Sequence, residues 1–350
     1  MRVNLIRPVL AGFAALASTI PISRATAQRI SSASDIRAAV ANARPGSRVT
    51  IPAGSYNIGS TPIRIEGKRD VEIVGAGAGR TIIRASGSAP FIFELAGSND
   101  GLTVAGMTLE GAEHLTRNTH ALASGSDRIS LTRVRFHDLD IHNVAVGISV
   151  ESSGSGICND VQITSNRLDN MQDVVTSNGW TVGSGYGIHN DGCTNVRIAD
   201  NIISNADRHS IYQASAYQPD RPGASGSIVI ENNKIIDHAK TSSLPNEWQV
   251  ALVVARSSNV VVSGNEIINP YQDAISIEDP SADDNRSYTV RNIRLIDNVV
   301  RGAHKADIFL TASGNFISEG NRFYRSGSTV ASRPFVRRAG RGRSGRLSTG

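Results

Sequence analysis

A short phrase that returns six times constrains this chain more than any other feature. It reads CNDVQITSNRLDN at 158–170, CTNVRIADNIISN at 193–205 and SIVIENNKII at 227–236. It returns as NVVVSGNEII at 259–268, NIRLIDNVV at 292–300 and NFISEGNRF at 315–323. Each copy has two apolar residues two apart, then an asparagine, then another apolar residue two further on. The asparagines are Asn166, Asn201, Asn233, Asn265, Asn298 and Asn321, with spacings of 35, 32, 32, 33 and 23 residues. Alternation with a period of two marks strands with one buried face. Strands this short bury little alone, so each unit must stack on the next. Three short strands per unit around an aliphatic core is a parallel β-helix. Asparagine suits the corner between strands, because it tolerates left-handed backbone and its amide bonds along a stack.

Composition agrees. The 350 residues are 39% hydrophobic but only 5% aromatic, with 33 glycines, so the core is one of Val, Ile and Leu between tight turns. The two ends read differently from the body. Arg2 and Arg7, an apolar run from Val9 to Ile20 and Ala25-Thr26-Ala27 have the layout of an export signal over 1–27, too short to span a bilayer. The mature chain is then expected to start near Gln28 and to be secreted or periplasmic, without a membrane span. Residues 332–350 hold six arginines and no acid, and read as a basic disordered tail. Between those ends 27 basic groups face 31 acidic ones, so the net charge of +5 is no argument for a nucleic-acid partner. No zinc spacing, P-loop or dinucleotide fingerprint is present. The repeat occupies 28–331 as one domain, expected to act as a monomer.

Cys158 and Cys193 stand at the same place in consecutive copies. Neighbouring strands lie about 4.8 Å apart, which suits either a disulfide or two stacked free thiols.

On this phrase and on the opening SDIRAAVANARPGSRVTIPAGSYNI (34–58), the chain resembles the right-handed parallel β-helix proteins of the pectate-lyase-like superfamily. The resemblance covers most of the mature chain. It implies a short N-terminal helix closing the open end of the solenoid, capped by Ser34 or Asp35, with Ile36, Ala39, Val40 and Ala43 on one face. It also implies a carbohydrate ligand, since the superfamily's polysaccharide-cleaving members bind substrate over one sheet. Departures from known members matter. The NTD, DD, GHG and RIK groups of polygalacturonases and the DPHD motif of mannuronan epimerases are missing, so no catalytic residue transfers by motif.

Position alone then selects candidates. Units longer than the last spacing carry insertions, and these flank the third strands GISVES, GIHND, SIYQA, ALVVAR, AISIED and DIFLTA. The insertions 176–185, 216–225, 241–248 and 280–289 would wall a trough suited to a polymer. With Ile148, Ile188, Ile211, Leu252, Ile275 and Ile308 pointing inward, the outward column is Ser149, His189, Tyr212, Val253, Ser276 and Phe309. A second outward column is Glu151, Asp191, Ala214, Ala255, Glu278 and Thr311. A one-residue slip would reverse both.

His189 and Tyr212 are the expected base and acid, in either order, with His209 and Arg208 as further catalytic candidates. Arg256, Glu278 and Asp279 are expected to bind substrate. Glu151 and Asp191 are a candidate metal pair, with Ca²⁺ as the cation. The expected reaction is β-elimination on a uronic-acid-containing polysaccharide. It requires neutralising the substrate carboxylate, removing the C5 proton and protonating the leaving oxygen. Hydrolysis by a carboxylate pair, C5 epimerisation and non-catalytic carbohydrate binding are the alternatives.

Overall fold

Period-two alternation becomes stacked parallel strands. The computed structural model describes residues 29–125, 129–151, 156–174, 184–214, 226–239, 249–278, 290–310 and 315–324, with backbone strands at 336–338 and 348–349. The strands form two parallel sheets, of 20 and 10 strands, wound into one solenoid. The larger sheet contains the repeated phrases. The smaller one is built from the third strand of each coil, including His120–Ser124, Val146–Glu151, Tyr186–Asp191, His209–Ala214, Leu252–Ala255, Ile275–Glu278 and Ile308–Leu310.

The register matches the alternation. Ile148, Ile188, Ile211, Leu252, Ile275 and Ile308 are consecutive partners, and each is at most 1% exposed in the central core. A fully buried Ile or Leu contributes about 1.5–3 kcal/mol, so a one-residue slip would lose many such contributions together.

The asparagines do more than turn a corner. Asn166 donates from both its backbone N–H and Nδ2 to Asn201 Oδ1, each at 3.0 Å. The same double donation links Asn201 to Asn233, Asn233 to Asn265, Asn265 to Asn298 and Asn298 to Asn321. Each of these amides also donates to a backbone carbonyl of the preceding coil, Asn201 to Ile163 at 2.9 Å for example. The left-handed residue is not the asparagine but the one before it: Ser165, Asp200, Asn232, Gly264, Asp297 and Gly320, with φ between 53° and 65°. The sharp bend thus falls on a residue that turns outward, leaving the asparagine free to point in and satisfy buried groups.

At the N-terminal end the helix Ala33–Ala41 closes the coil. Its N-cap is Ser32 rather than Ser34 or Asp35, because Asp35 serves as the return arm of a capping box. Ile36 and Val40 are buried, and Ala39 and Ala43 pack against the core. Lys68 Nζ donates to the Ala41 carbonyl at 2.8 Å, a cation at the negative end of the helix.

Cys158 and Cys193 form a disulfide between consecutive coils, with a Cα–Cα distance of 4.4 Å. Among the described residues no helix is long and apolar enough to cross a membrane. The export signal and the inserted loops fall largely outside the described residues.

Candidate functional site

The outer face of the ten-stranded sheet collects polar rings at one place. His189 and Tyr212 are strand partners in adjacent coils, and their rings lie 5.2 Å apart. Ser149 and Glu151 sit on the preceding strand, where Ser149 pairs with His189 and Glu151 with Asp191. His189 Nδ1 lies 3.2 Å from Glu151 Oε1 and 3.1 Å from Ser149 Oγ, while Ser149 Oγ donates to Glu151 Oε1 at 2.8 Å. The hydrogen bond to His189, helped by the Ser149 hydroxyl, holds the Glu151 carboxyl down at about 2, against the opposing effect of burial. Glu151 is therefore an anion at neutral pH. An anion beside Nδ1 keeps a proton on that nitrogen and leaves the Nε2 lone pair for chemistry.

Tyr186 completes the group. Its ring lies 4.9 Å from His189, 5.4 Å from His209 and 5.8 Å from Tyr212, and the Arg208 guanidinium lies 5.0 Å from its centroid. Burial raises the Tyr186 phenol to about 12 and raises Tyr212 further, with Asp191 and Glu278 adding to both shifts. Both phenols are thus protonated donors at neutral pH. Arg208 opposes the shift at Tyr186 and Arg256 opposes it at Tyr212, so a guanidinium charge reaches each ring.

Alternation alone hides Tyr186. Counting back from Ile188 assigns Gly187 outward and Tyr186 inward. In the structure both Gly187 and Ile188 turn inward: a Cβ on Gly187 would collide with the Ser210 carbonyl oxygen and meet Ile203 Cγ2 at 2.9 Å. Gly147 repeats the arrangement against Leu168 and the Gly187 carbonyl. The missing side chains let the strand enter the sheet one residue out of phase, which puts Tyr186 on the face of His189. The paired glycines, in GISVES and GIHND, are the signal in the sequence.

The remaining candidates divide. His209 is 6% exposed, bonds the Val250 carbonyl through Nδ1 at 2.9 Å, and stacks on Tyr212 at 5.4 Å. Burial holds its pKa well below the ordinary histidine value, so it is a neutral support for the Tyr212 ring. Arg256 has left-handed backbone at the end of its strand, and its N–H donates to the Glu278 carbonyl. Glu278 accepts from Ser276 Oγ at 2.6 Å. Asp279 and Thr311 lie outside the described residues, as do most of the insertions expected to wall the trough.

The second outward column has the expected register through Glu278. The first outward column is less open than alternation implies. Ser149, Val253 and Ser276 are at most 1% exposed, and Val253 packs with Ala214, Val250, Ala255 and Tyr212 in an apolar cluster outside the main core.

Glu151 and Asp191 do not by themselves fit a calcium ion. Glu151 Oε1 is taken up by Ser149 and His189, and among the described residues no three His, Cys, Asp or Glu side chains gather to hold a metal. Calcium takes six to eight oxygen ligands.

His120 lies on the strand that precedes Val146–Glu151 in the same sheet. It pairs with Val146, the strand partner of Tyr186, and its ring lies 5.3 Å from Phe91. Burial pushes its pKa down to about 4 although the Glu151 charge opposes this.

Among solved structures the chain is similar to an alginate lyase from Paenibacillus sp., with a TM-score of 0.59 at 14% identity over 85% of this chain and 97% of that one. It is similar to the A-module of a mannuronan C-5 epimerase from Azotobacter vinelandii (TM-score 0.46, 12% identity, 88% of this chain and 95% of that one). A third likeness is to the catalytic unit of an α-1,3-glucanase from Streptomyces thermodiastaticus (TM-score 0.47, 15% identity, 84% of this chain and 61% of that one). No curated protein shows significant sequence similarity to the chain. Such low identities speak for the fold alone. The profile of the right-handed beta helix region matches residues 94–283 and 159–333, and with more than half of its length matched the chain belongs to that family.

Proposed function

We propose that the chain is an exported enzyme that cleaves a uronic-acid-containing polysaccharide by β-elimination over the ten-stranded sheet. The observation that carries this reading is the His189 imidazole, held through Nδ1 by Glu151 and Ser149 and set beside two protonated phenols. In the proposed reaction His189 Nε2 removes the C5 proton of the uronate. Arg208 and Arg256 stabilise the negative charge that develops on its carboxylate. The C4–O bond breaks as the C4=C5 double bond forms, and Tyr212 passes its proton to the leaving oxygen. Solvent then returns the His189 proton to Tyr212.

A hydrolase needs one carboxyl protonated as general acid, and Glu151, held ionised, does not fill that role. Asp191 and Glu278 are three strand spacings apart, about 14 Å along the sheet, well beyond the usual carboxyl separation of about 5–9.5 Å. The disulfide between Cys158 and Cys193 supports an oxidising compartment, secreted or periplasmic.

The test is incubation with a panel of acidic polysaccharides, alginate and pectate included, followed by ultraviolet absorbance of the unsaturated uronate product. New reducing ends without that absorbance would sink elimination and support hydrolysis. Inverted C5 stereochemistry by NMR without cleavage would make the chain an epimerase using the same proton abstraction. Binding with neither signal would make it a carbohydrate-binding protein.

A further inference from the structure

A second ring pair stands further along the solenoid. Tyr271 is 40% exposed, and its ring lies 5.6 Å from that of His304 in the next coil, tilted by 37°. Arg208, Gln272 and Lys305 each stand three residues before the inward residues Ile211, Ile275 and Ile308, which share one register. Tyr271 and His304 each precede an equivalent of Arg208, so they occupy the same rim of the ten-stranded sheet. The rim is fixed by backbone: the Tyr271 N–H donates to the His238 carbonyl at 3.1 Å and the Lys305 N–H to the Gln272 carbonyl at 3.2 Å. Three strand spacings separate the coil of Arg208 from that of Lys305, about 14 Å. That is a few sugar residues along a chain laid over the strands.

We infer that Tyr271 and His304, with Lys305 beside them, form an outlying subsite that stacks one pyranose ring of a polyuronate chain and pairs its carboxylate. This rests on the substrate class proposed above. The chemistry is that of the residues. An exposed phenol ring offers an apolar face to the C–H face of a sugar, and the neighbouring imidazole widens it. Lys305 is partly buried and makes no ion pair among the described residues, so its charge is available to an anionic sugar. Neither Tyr271 nor Lys305 touches the His189–Tyr212 group, so this subsite adds grip and length preference, not chemistry.

The experiment is calorimetric titration of the full mature chain, in a His189→Gln background that prevents cleavage, with an alginate disaccharide and an alginate octasaccharide. Tyr271→Ala should weaken octasaccharide binding about tenfold, or about 1.4 kcal/mol, and leave the disaccharide unchanged. Tyr271→Trp should restore it. Lys305→Ala should weaken octasaccharide binding about threefold and reduce its salt dependence. Equal loss for both lengths, no loss for either, or no binding of either overturns the subsite. Elimination by the parent chain with no effect of Tyr271→Ala overturns only this inference. Length-dependent loss without elimination keeps the subsite and removes the lyase reading.

Discussion

Replacing Asn233 by alanine tests how the solenoid is held together. Its side chain makes four bonds: Oδ1 accepts from Asn201 N at 3.1 Å and Asn201 Nδ2 at 2.9 Å, and Nδ2 donates to the Ile198 carbonyl and Asn265 Oδ1, both at 2.9 Å. The residue is 1% exposed, so water does not replace these partners without opening the coil. The Asn201 N–H is left without its acceptor, at a cost of about 1–3 kcal/mol, and each other bond contributes about 0.5–1.5 kcal/mol. The Asn233 N–H still donates to Asn265 Oδ1, which limits the damage above the gap. The expected destabilisation is about 4 kcal/mol, read as a lower urea midpoint. Because each coil contacts mainly its neighbours, the loss should be local. Hydrogen exchange should show the Asn201 amide losing protection while the helix Ala33–Ala41 keeps it. Asn321→Ala, at the half-buried end of the ladder, is the control and should cost about 1 kcal/mol, since trimming this half-buried side chain lets solvent in to its partners. Equal effects at both positions, or a loss below about 1 kcal/mol at Asn233, would refute the view that buried amide stacking joins the coils.

Acid should destabilise the fold through its buried histidines. Burial pushes His238 down to about 3 and His120 to about 4, and moves His209 well below the ordinary value, whereas the unfolded chain takes up protons near 6.5. Stability from these groups is complete above about pH 6.5 and is lost as pH falls towards 3–4, at about 1.4 kcal/mol per pH unit for each. Urea midpoints measured from pH 7 to 5 should therefore fall steeply, and His238→Gln should flatten the slope; a flat profile in the parent chain would contradict the burial. Reducing the Cys158–Cys193 bond releases a 35-residue loop, which the chain-entropy relation makes a loss of about 4 kcal/mol as an upper figure. The midpoint with and without reductant checks it. At the proposed site, His189→Ala and Tyr212→Phe should each lower kcat by about 10²–10⁴-fold with little change in KM, as steady-state rates on the cleaved polysaccharide would show. Tyr186→Phe in place of Tyr212→Phe giving the larger loss would reassign the acid to Tyr186.

How much of this was legible follows from which physical rules act at a distance. Strand register was legible because the aliphatic column from Ile148 to Ile308 and the asparagines repeat on every coil, and any slip is penalised on all of them together. The neighbour relation of His189 and Tyr212 follows from that register, so it too was legible. The cap lies at Ser32, before Ser34 and Asp35, because Asp35, a good cap residue, serves as the partner of Ser32. Tyr186 was not legible by alternation, since Gly147 and Gly187 let two successive residues face inward. The partner of Glu151 was hidden for a different reason. Alternation places Glu151 next to Asp191, and two adjacent carboxylates suggest a cation. The structure instead bends Glu151 diagonally to His189 across Ser149, whose small side chain leaves the space and whose hydroxyl bonds both. Register decides which backbones are neighbours. Which side chains meet depends on length and on what lies between them, and here the Ser149 hydroxyl joins Glu151 to His189 on the diagonal, a contact that strand pairing alone does not reveal.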